Sequence, residues 1–275
     1  MKKHISISVA FLTGLIITLS VLLYPFVARY VNSRSQTRTV AQYIDDVAAI
    51  DDGSRQALLE AAHEYNRKLL RDASRFRPSE EEKEAYLKQL DVSRGVMGIL
   101  SISKIDVNLP IYHGTDEGVL QVGLGHMQGT SLPVGGTGTH SFITGHRGLP
   151  SSKLLSNLDK MAKGDTFALY IFGEILTYQV DDIQTVEPHM VEALDIDPDK
   201  DHCTLVTCTP YGINTHRLLV RGQRIESPVS AGWETLYADA KYLDKSLVIL
   251  LFMIPAVPVI MTAAILICRK IRKRR

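Results

Sequence analysis

Residues 95–225 read as a mainly β domain, a barrel with connecting helices. It is set behind a helical N-terminal region and flanked by two membrane-spanning helices. Three observations predict this class. Two charge-free apolar runs, Ile5 to Ala28 and Leu247 to Cys268, stand towards the ends of the 275-residue chain. Between them, helical spacing gives way at Gly95 to short β-rich runs separated by Gly, Pro and Asn. Two helical inserts interrupt those runs, over Ser151 to Lys160 and near Val191, which favours a barrel over a plain sandwich.

The apolar runs come first because they decide which parts meet water. At about 1.5 Å rise per residue each is long enough for a hydrocarbon core of about 30 Å. Lys2 and Lys3 precede the first, and Arg269, Lys270, Arg272, Lys273, Arg274 and Arg275 follow the second. The positive-inside rule then places both termini in the cytoplasm and the middle outside the cell membrane. The boundaries are a tip at 1–4, an anchor at 5–28, a helical region at 29–94, the barrel at 95–225, a linker at 226–246, a second span at 247–268 and a basic tail at 269–275. A cleaved signal peptide is the alternative for the first run. Against it, the run exceeds the usual length of a signal peptide's apolar core, and Ala28 follows Val27 and Phe26 rather than a small-residue pair.

A net charge of +1 hides an uneven distribution. Residues 29–245 hold 23 basic against 30 acidic side chains, a balance of −7, while the tips are wholly basic. An acidic ectodomain argues against nucleic acid as a partner, and basic tips suit the anionic inner leaflet of a lipid bilayer. Trp233, Tyr237 and Tyr242 in the linker have the amphipathic character of headgroup anchors.

Within the helical region, Val40, Tyr43, Ile44 and Val47 recur at three- and four-residue spacings before a break at Asp51-Asp52-Gly53. Leu58, Leu59, Ala62 and Leu69 form a second set, with Ser54 as its expected N-cap. Ser79 and Glu82 have capping-box spacing and open a third, shorter helix, which leaves Arg71 to Arg77 as a loop. The expected strands are Val96 to Ser101, Val107 to Tyr112, His140 to Gly145, Asp165 to Ile171, Ile175 to Val186, Cys203 to Thr207 and His216 to Ile225.

Three cysteines make no disulfide framework. Cys268 lies at the cytoplasmic end of the second run. Cys203 and Cys208 are five apart in a β-branched run, so their side chains point to opposite faces and cannot bridge. Cys203 reads as core filler. Cys208 ends its strand, where a thiol is exposed enough to react, and the following turn returns Arg217 to its level. A guanidinium there favours a thiolate or donates to an oxyanion. Arg221 is on the same face, further along. A thiol attacking a carbonyl also needs a base. His146, in Ser141-Phe-Ile-Thr-Gly-His-Arg-Gly-Leu-Pro150 at the end of another β run, is the first candidate, with His140 and His216 as weaker rivals. His113 and His126 flank glycines and read as surface residues, and the histidine spacings do not suggest a metal site. The residues alone leave open a plain strand cysteine and a solvated arginine.

The segments TGHRGLP, TLVTCTPYG and NTHRLLVRG, taken together and in order, resemble the sortases, the membrane-anchored cysteine transpeptidases of Gram-positive bacteria. The resemblance spans about residues 95–225 and is closest to the class C branch, which polymerises pilins. It implies a closed eight-stranded β-barrel, with Cys208 as nucleophile, His146 as general acid and base, and Arg217 as the group that holds substrate and oxyanion. It also implies a pilin or surface-protein substrate with an LPXTG-like sorting signal. That signal is cleaved after threonine through a thioester on Cys208, and a pilin lysine then forms an isopeptide bond. No metal or organic cofactor is implied. Anchoring of surface proteins to peptidoglycan is the neighbouring alternative within the family. A hydrolytic cysteine protease or a non-catalytic pilin-binding scaffold lies further off. The sequence departs from the branch at the lid, where Arg71 to Ser79 has no Asp-Pro-aromatic triplet. Phe76 is the candidate plug there, and a plain connection between two helices is the other reading.

Overall fold

The structure, a computed structural model, describes residues 2–92, 94–188 and 194–227. The chain divides into two units, one ending at Val31 and one beginning at Asn32. Helix α1, Lys2–Ala48, runs through that division. Among the described residues it is the one helix long and apolar enough to cross a membrane. The expected second span, Cys268 and the linker aromatics lie outside the described residues.

In the second unit, α1 after Asn32 and helices α2 (Asp52–Leu69) and α3 (Glu80–Leu87) precede strands β1 (Val96–Ile102) and β2 (Val107–His113). Then come helix α4 (Glu117–Val122) and strands β3 (Leu124–His126), β4 (Thr139–Thr144), β5 (Thr166–Ile171), β6 (Glu174–Val186), β7 (Asp201–Thr209) and β8 (His216–Ile225). The strands close into an eight-stranded barrel in the order β1-β2-β3-β4-β7-β8-β6-β5. The β2–β3 and β4–β7 pairs are parallel and the others antiparallel.

Alternation along β7 sorts its side chains. Cys203 and Leu205 join Leu100, Ile143, Phe167, Leu169 and Val220 in the barrel interior. Val206 belongs instead to a separate cluster with Phe142 and Leu219, against which Met127, Val186 and Leu194 pack. Thr204, Val206 and Cys208 thus share the outer face, because side chains two apart on a strand stay on one side.

The helices each cover part of the barrel's outside. The predicted stripe Val40, Tyr43, Ile44 and Val47 is buried against Val96, Ile99 and Tyr170. Tyr43 donates its hydroxyl to the Met97 carbonyl at 2.9 Å and accepts from the Phe172 amide at 3.1 Å. Helix α2 is held through Asn66, whose side-chain amide both accepts from Leu132 N at 2.7 Å and donates to Leu132 O at 3.1 Å. Its N-cap is Asp51 rather than the expected Ser54. The Asp51 carboxylate accepts the Ser54 amide, so Ser54 already lies in the first turn. The capping box of α3 is present as expected, with Ser79 N donating to Glu82 and Glu82 N to Ser79. Tyr86 of α3 is buried between His113 and His126.

The insert expected as a helix over Ser151 to Lys160 is irregular, with one short 3-10 turn at Leu158–Lys160. Its polar groups serve the neighbouring loop rather than a helix. Leu155 N donates to His146 O, Ser156 Oγ accepts from Gly148 N, and Leu154 has positive φ while Leu154, Leu155 and Leu158 are buried. The weaker insert near Val191 lies outside the described residues. Helix α4 and strand β3 are additions to the sequence reading, being too short for their periodicity to register.

Candidate active site

Two pairings converge on Cys208. On one side, the antiparallel β7–β8 hairpin pairs Cys208 with Arg217 across the ladder, so both side chains face the same way. On the other side, the parallel β4–β7 register runs Thr139 to Asp201 through Thr144 to Val206. Hydrogen bonds carry that register beyond the strand. Gly145 N donates to Val206 O at 3.0 Å, and Thr207 Oγ1 donates to Gly145 O at 2.8 Å. Arg147 Nη1 donates to Thr209 Oγ1 at 3.2 Å. The constant offset of 62 residues sets His146 beside Cys208. Cys208 therefore pairs with Arg217 on one side and lies level with His146, just past the end of β4, on the other.

The surroundings divide the two cysteines and the two arginines. Cys203 is fully buried, and burial pushes its thiol well above the ordinary range. Cys208 is half-buried on the outer face. Arg221, level with Thr204, gives Nε and Nη2 to Asp181 at 3.1 and 2.8 Å and is thereby committed. Arg217 places Nη1 on the carbonyls of Asn214 and His216 at 3.3 and 3.1 Å. Those bonds position the guanidinium at the strand start and leave donors for another acceptor.

The histidines separate in the same way. His140 is buried with Nδ1 on the Asp195 carbonyl and Nε2 on Thr204 Oγ1, and burial pulls its pKa down to about 4. His126 is buried on Tyr86 and the Ser131 carbonyl, and burial likewise takes it to about 4. His113 is also buried, so neither it nor His126 is the surface residue expected from its glycine-flanked loop. His216 contacts Thr215 on the exposed hairpin loop. His146 differs from these: its Nε2 is buried and makes no hydrogen bond, and Glu117 Oε2 of α4 stands 3.5 Å from it. The sequence reading missed Glu117. Its one signal is the Asp116-Glu117 pair, acidic residues of the kind that open a helix.

Below Cys208 on the same face, Phe142, Val206 and Leu219 form an apolar strip walled by Met127 and Leu194. The loop between α2 and α3 docks beside it. The Asp72 carboxylate accepts from Ser74 N and Oγ, and Arg75 donates to the Leu194 carbonyl at 3.0 Å. The Arg75 guanidinium also covers the Phe76 ring at 4.8 Å. Phe76 lies against Gly129, where an added Cβ would come within 2.7 Å of the ring, and stays 41% exposed. Among the described residues no group of three or more His, Cys, Asp or Glu could hold a metal ion.

A strand-end thiol paired with an arginine on a closed eight-stranded barrel is the feature to set beside known proteins, and the comparison gives the family. A sortase domain model matches residues 100–225. The crystal structure of sortase C1 from Streptococcus agalactiae superposes with a TM-score of 0.68 at 47% identity, covering 70% of this chain and 100% of that one. Sortase C of Streptococcus pneumoniae, whose crystal structure was described for its catalysis and pilin substrate specificity, gives 0.63 at 42% identity, covering 70% and 100%. Sortase A of Streptococcus agalactiae serotype III is 34% identical over 131 residues, or 46% of this chain. The chain spans 52% of that relative's length. The chain belongs to the sortase family of cysteine transpeptidases.

Proposed function

We propose that this chain is a membrane-anchored class C sortase that joins pilin subunits. Cys208 attacks the carbonyl carbon of threonine in an LPXTG-like signal. The sulfur–carbon bond forms, the threonine–glycine bond breaks, and His146 delivers to the leaving amine the proton taken from the thiol. Arg217 donates to the oxyanion of the tetrahedral intermediate. A lysine amine of the next pilin then attacks the thioester, forming the isopeptide bond and restoring the thiol, with no cofactor called for.

The observation that carries the reading is the convergence of the two registers on Cys208, supported by class C relatives at 42–47% identity. The apolar strip of Phe142, Val206 and Leu219 offers a surface for the Leu-Pro part of the signal. For the topology, the apolar helix from Leu12 supports an N-terminal anchor with its tip in the cytoplasm, and the run at 247–268 supplies the second span. Membrane anchoring raises the local concentration of substrates held in the same bilayer. The loop around Phe76 acts as a loosely held lid.

Product analysis tests the proposal. A sorting-signal peptide incubated with the enzyme and a lysine-bearing pilin fragment should give an isopeptide-linked product. A product formed only with a peptidoglycan-type amine would assign the chain to surface-protein anchoring. Hydrolysis alone would make it a protease, and no turnover would leave it a scaffold.

A further inference from the structure

We infer that Glu117 is a positioning residue for His146, a third member of the site that holds the imidazolium while the proton is in transit. The inference rests on the proposed function. Its motive is that Nε2 of His146 is buried without a hydrogen-bond partner while Glu117 Oε2 stands 3.5 Å away. A buried polar atom lacking a partner is costly unless the site uses it at another stage. When His146 takes the proton from Cys208 both ring nitrogens become donors, and the Nε2–H then faces a carboxylate. At 3.5 Å that contact is loose in the resting state and tightens once the ring is charged.

The carboxylate is held on both sides. Gln121, one turn along α4, donates to Glu117 Oε1, and this bond first, with His146 second, keeps the Glu117 carboxyl below its ordinary range. The helix is itself tied down, because Gln36 of α1 donates to the Val122 carbonyl and to Ser152 Oγ at 3.0 and 3.1 Å. Gly123 then brings the chain so close to Tyr112 that a Cβ would lie 2.6 Å from its ring. The other charges near the imidazole are less well placed for this role. Arg147 is committed to Asp159 at 2.8 Å and to Thr209, and Arg217 is a cation on the far side of Cys208.

Because Glu117 is exposed, the effect is electrostatic and open to screening. A unit charge at about 3.5 Å in a water-like dielectric changes the stability of the charged imidazole by roughly five- to tenfold. The test is steady-state turnover of a sorting-signal peptide by the full chain in detergent, comparing wild type with Glu117→Gln, Glu117→Asp and Cys208→Ala. Glu117→Gln should lower kcat roughly five- to tenfold with KM unchanged. The loss should shrink towards twofold in about 1 M salt, and Glu117→Asp should recover part of the rate. A kcat within twofold of wild type at low salt overturns the inference, as does a loss confined to KM or one that salt leaves untouched. Turnover by Cys208→Ala would instead sink the reading of the site itself, so the two failures are distinguishable.

Discussion

Replacing Arg217 by lysine tests the choice between two arginines that share one strand face. Arg217 already spends Nη1 on the Asn214 and His216 carbonyls, which fix the guanidinium and leave its other donors for an oxyanion. Lysine keeps the charge but brings three donors on a flexible stem. It cannot bind those carbonyls and reach the substrate with the same planar fork. Losing one oxyanion donor costs on the order of 100- to 1,000-fold in kcat. Arg221→Lys perturbs a different contact. Its partner is Asp181, the pair is about one-third exposed, and loss of one of two bonds costs about 0.5 kcal/mol of stability with turnover within about threefold. The assay is peptide turnover for both variants, with circular dichroism to confirm folding. If Arg221→Lys is the inactive protein and Arg217→Lys the active one, the register argument has picked the wrong arginine.

Three further outcomes follow from the packing. His126 and His140 are held neutral by burial down to about pH 4, against an ordinary value of 6.5. Between those limits the unfolded chain binds protons that the folded chain does not, so stability rises with pH across the window and is lost as pH falls from 6.5 to 4. Each contributes on the order of 3 kcal/mol, so thermal melts should drop steeply over this range. A flat profile would contradict the burial argument. Cys203→Ala removes a sulfur from the core and should cost about 1 to 2 kcal/mol in denaturant unfolding while leaving turnover within about twofold; a dead but folded variant would overturn its assignment as filler. Phe76→Ala should leave alkylation of Cys208 near the wild-type rate, because the ring rests on Gly129 and is partly exposed. A many-fold acceleration would make the loop a true plug.

Which parts of this were legible in the sequence follows from how far apart the partners lie. The Cys208–Arg217 pairing is a local hairpin, so a strand, a turn and a second strand predict it by counting. The stripe at Val40, Tyr43, Ile44 and Val47 is periodic and packs as read. His146 was legible as a candidate because it ends a β run before a glycine turn, but its level with Cys208 depends on a parallel pairing 62 residues apart, which no local pattern encodes. Three-residue β3 and six-residue α4 are too short to leave a period, so Glu117 stayed hidden with them. The segment after Pro150 misled because Leu154, Leu155 and Leu158 have helical spacing. Their backbone is claimed by the His146 loop instead.

The central claim is that Cys208 carries the acyl group, and intact-protein mass spectrometry tests it most directly. After incubation with a sorting-signal peptide and no lysine acceptor, the enzyme should gain the mass of the peptide up to its threonine. Proteolysis should place the adduct on the fragment holding Cys208, hydroxylamine should remove it, and Cys208→Ala should gain nothing. An adduct that persists in Cys208→Ala, or that maps to Cys203, would contradict the account.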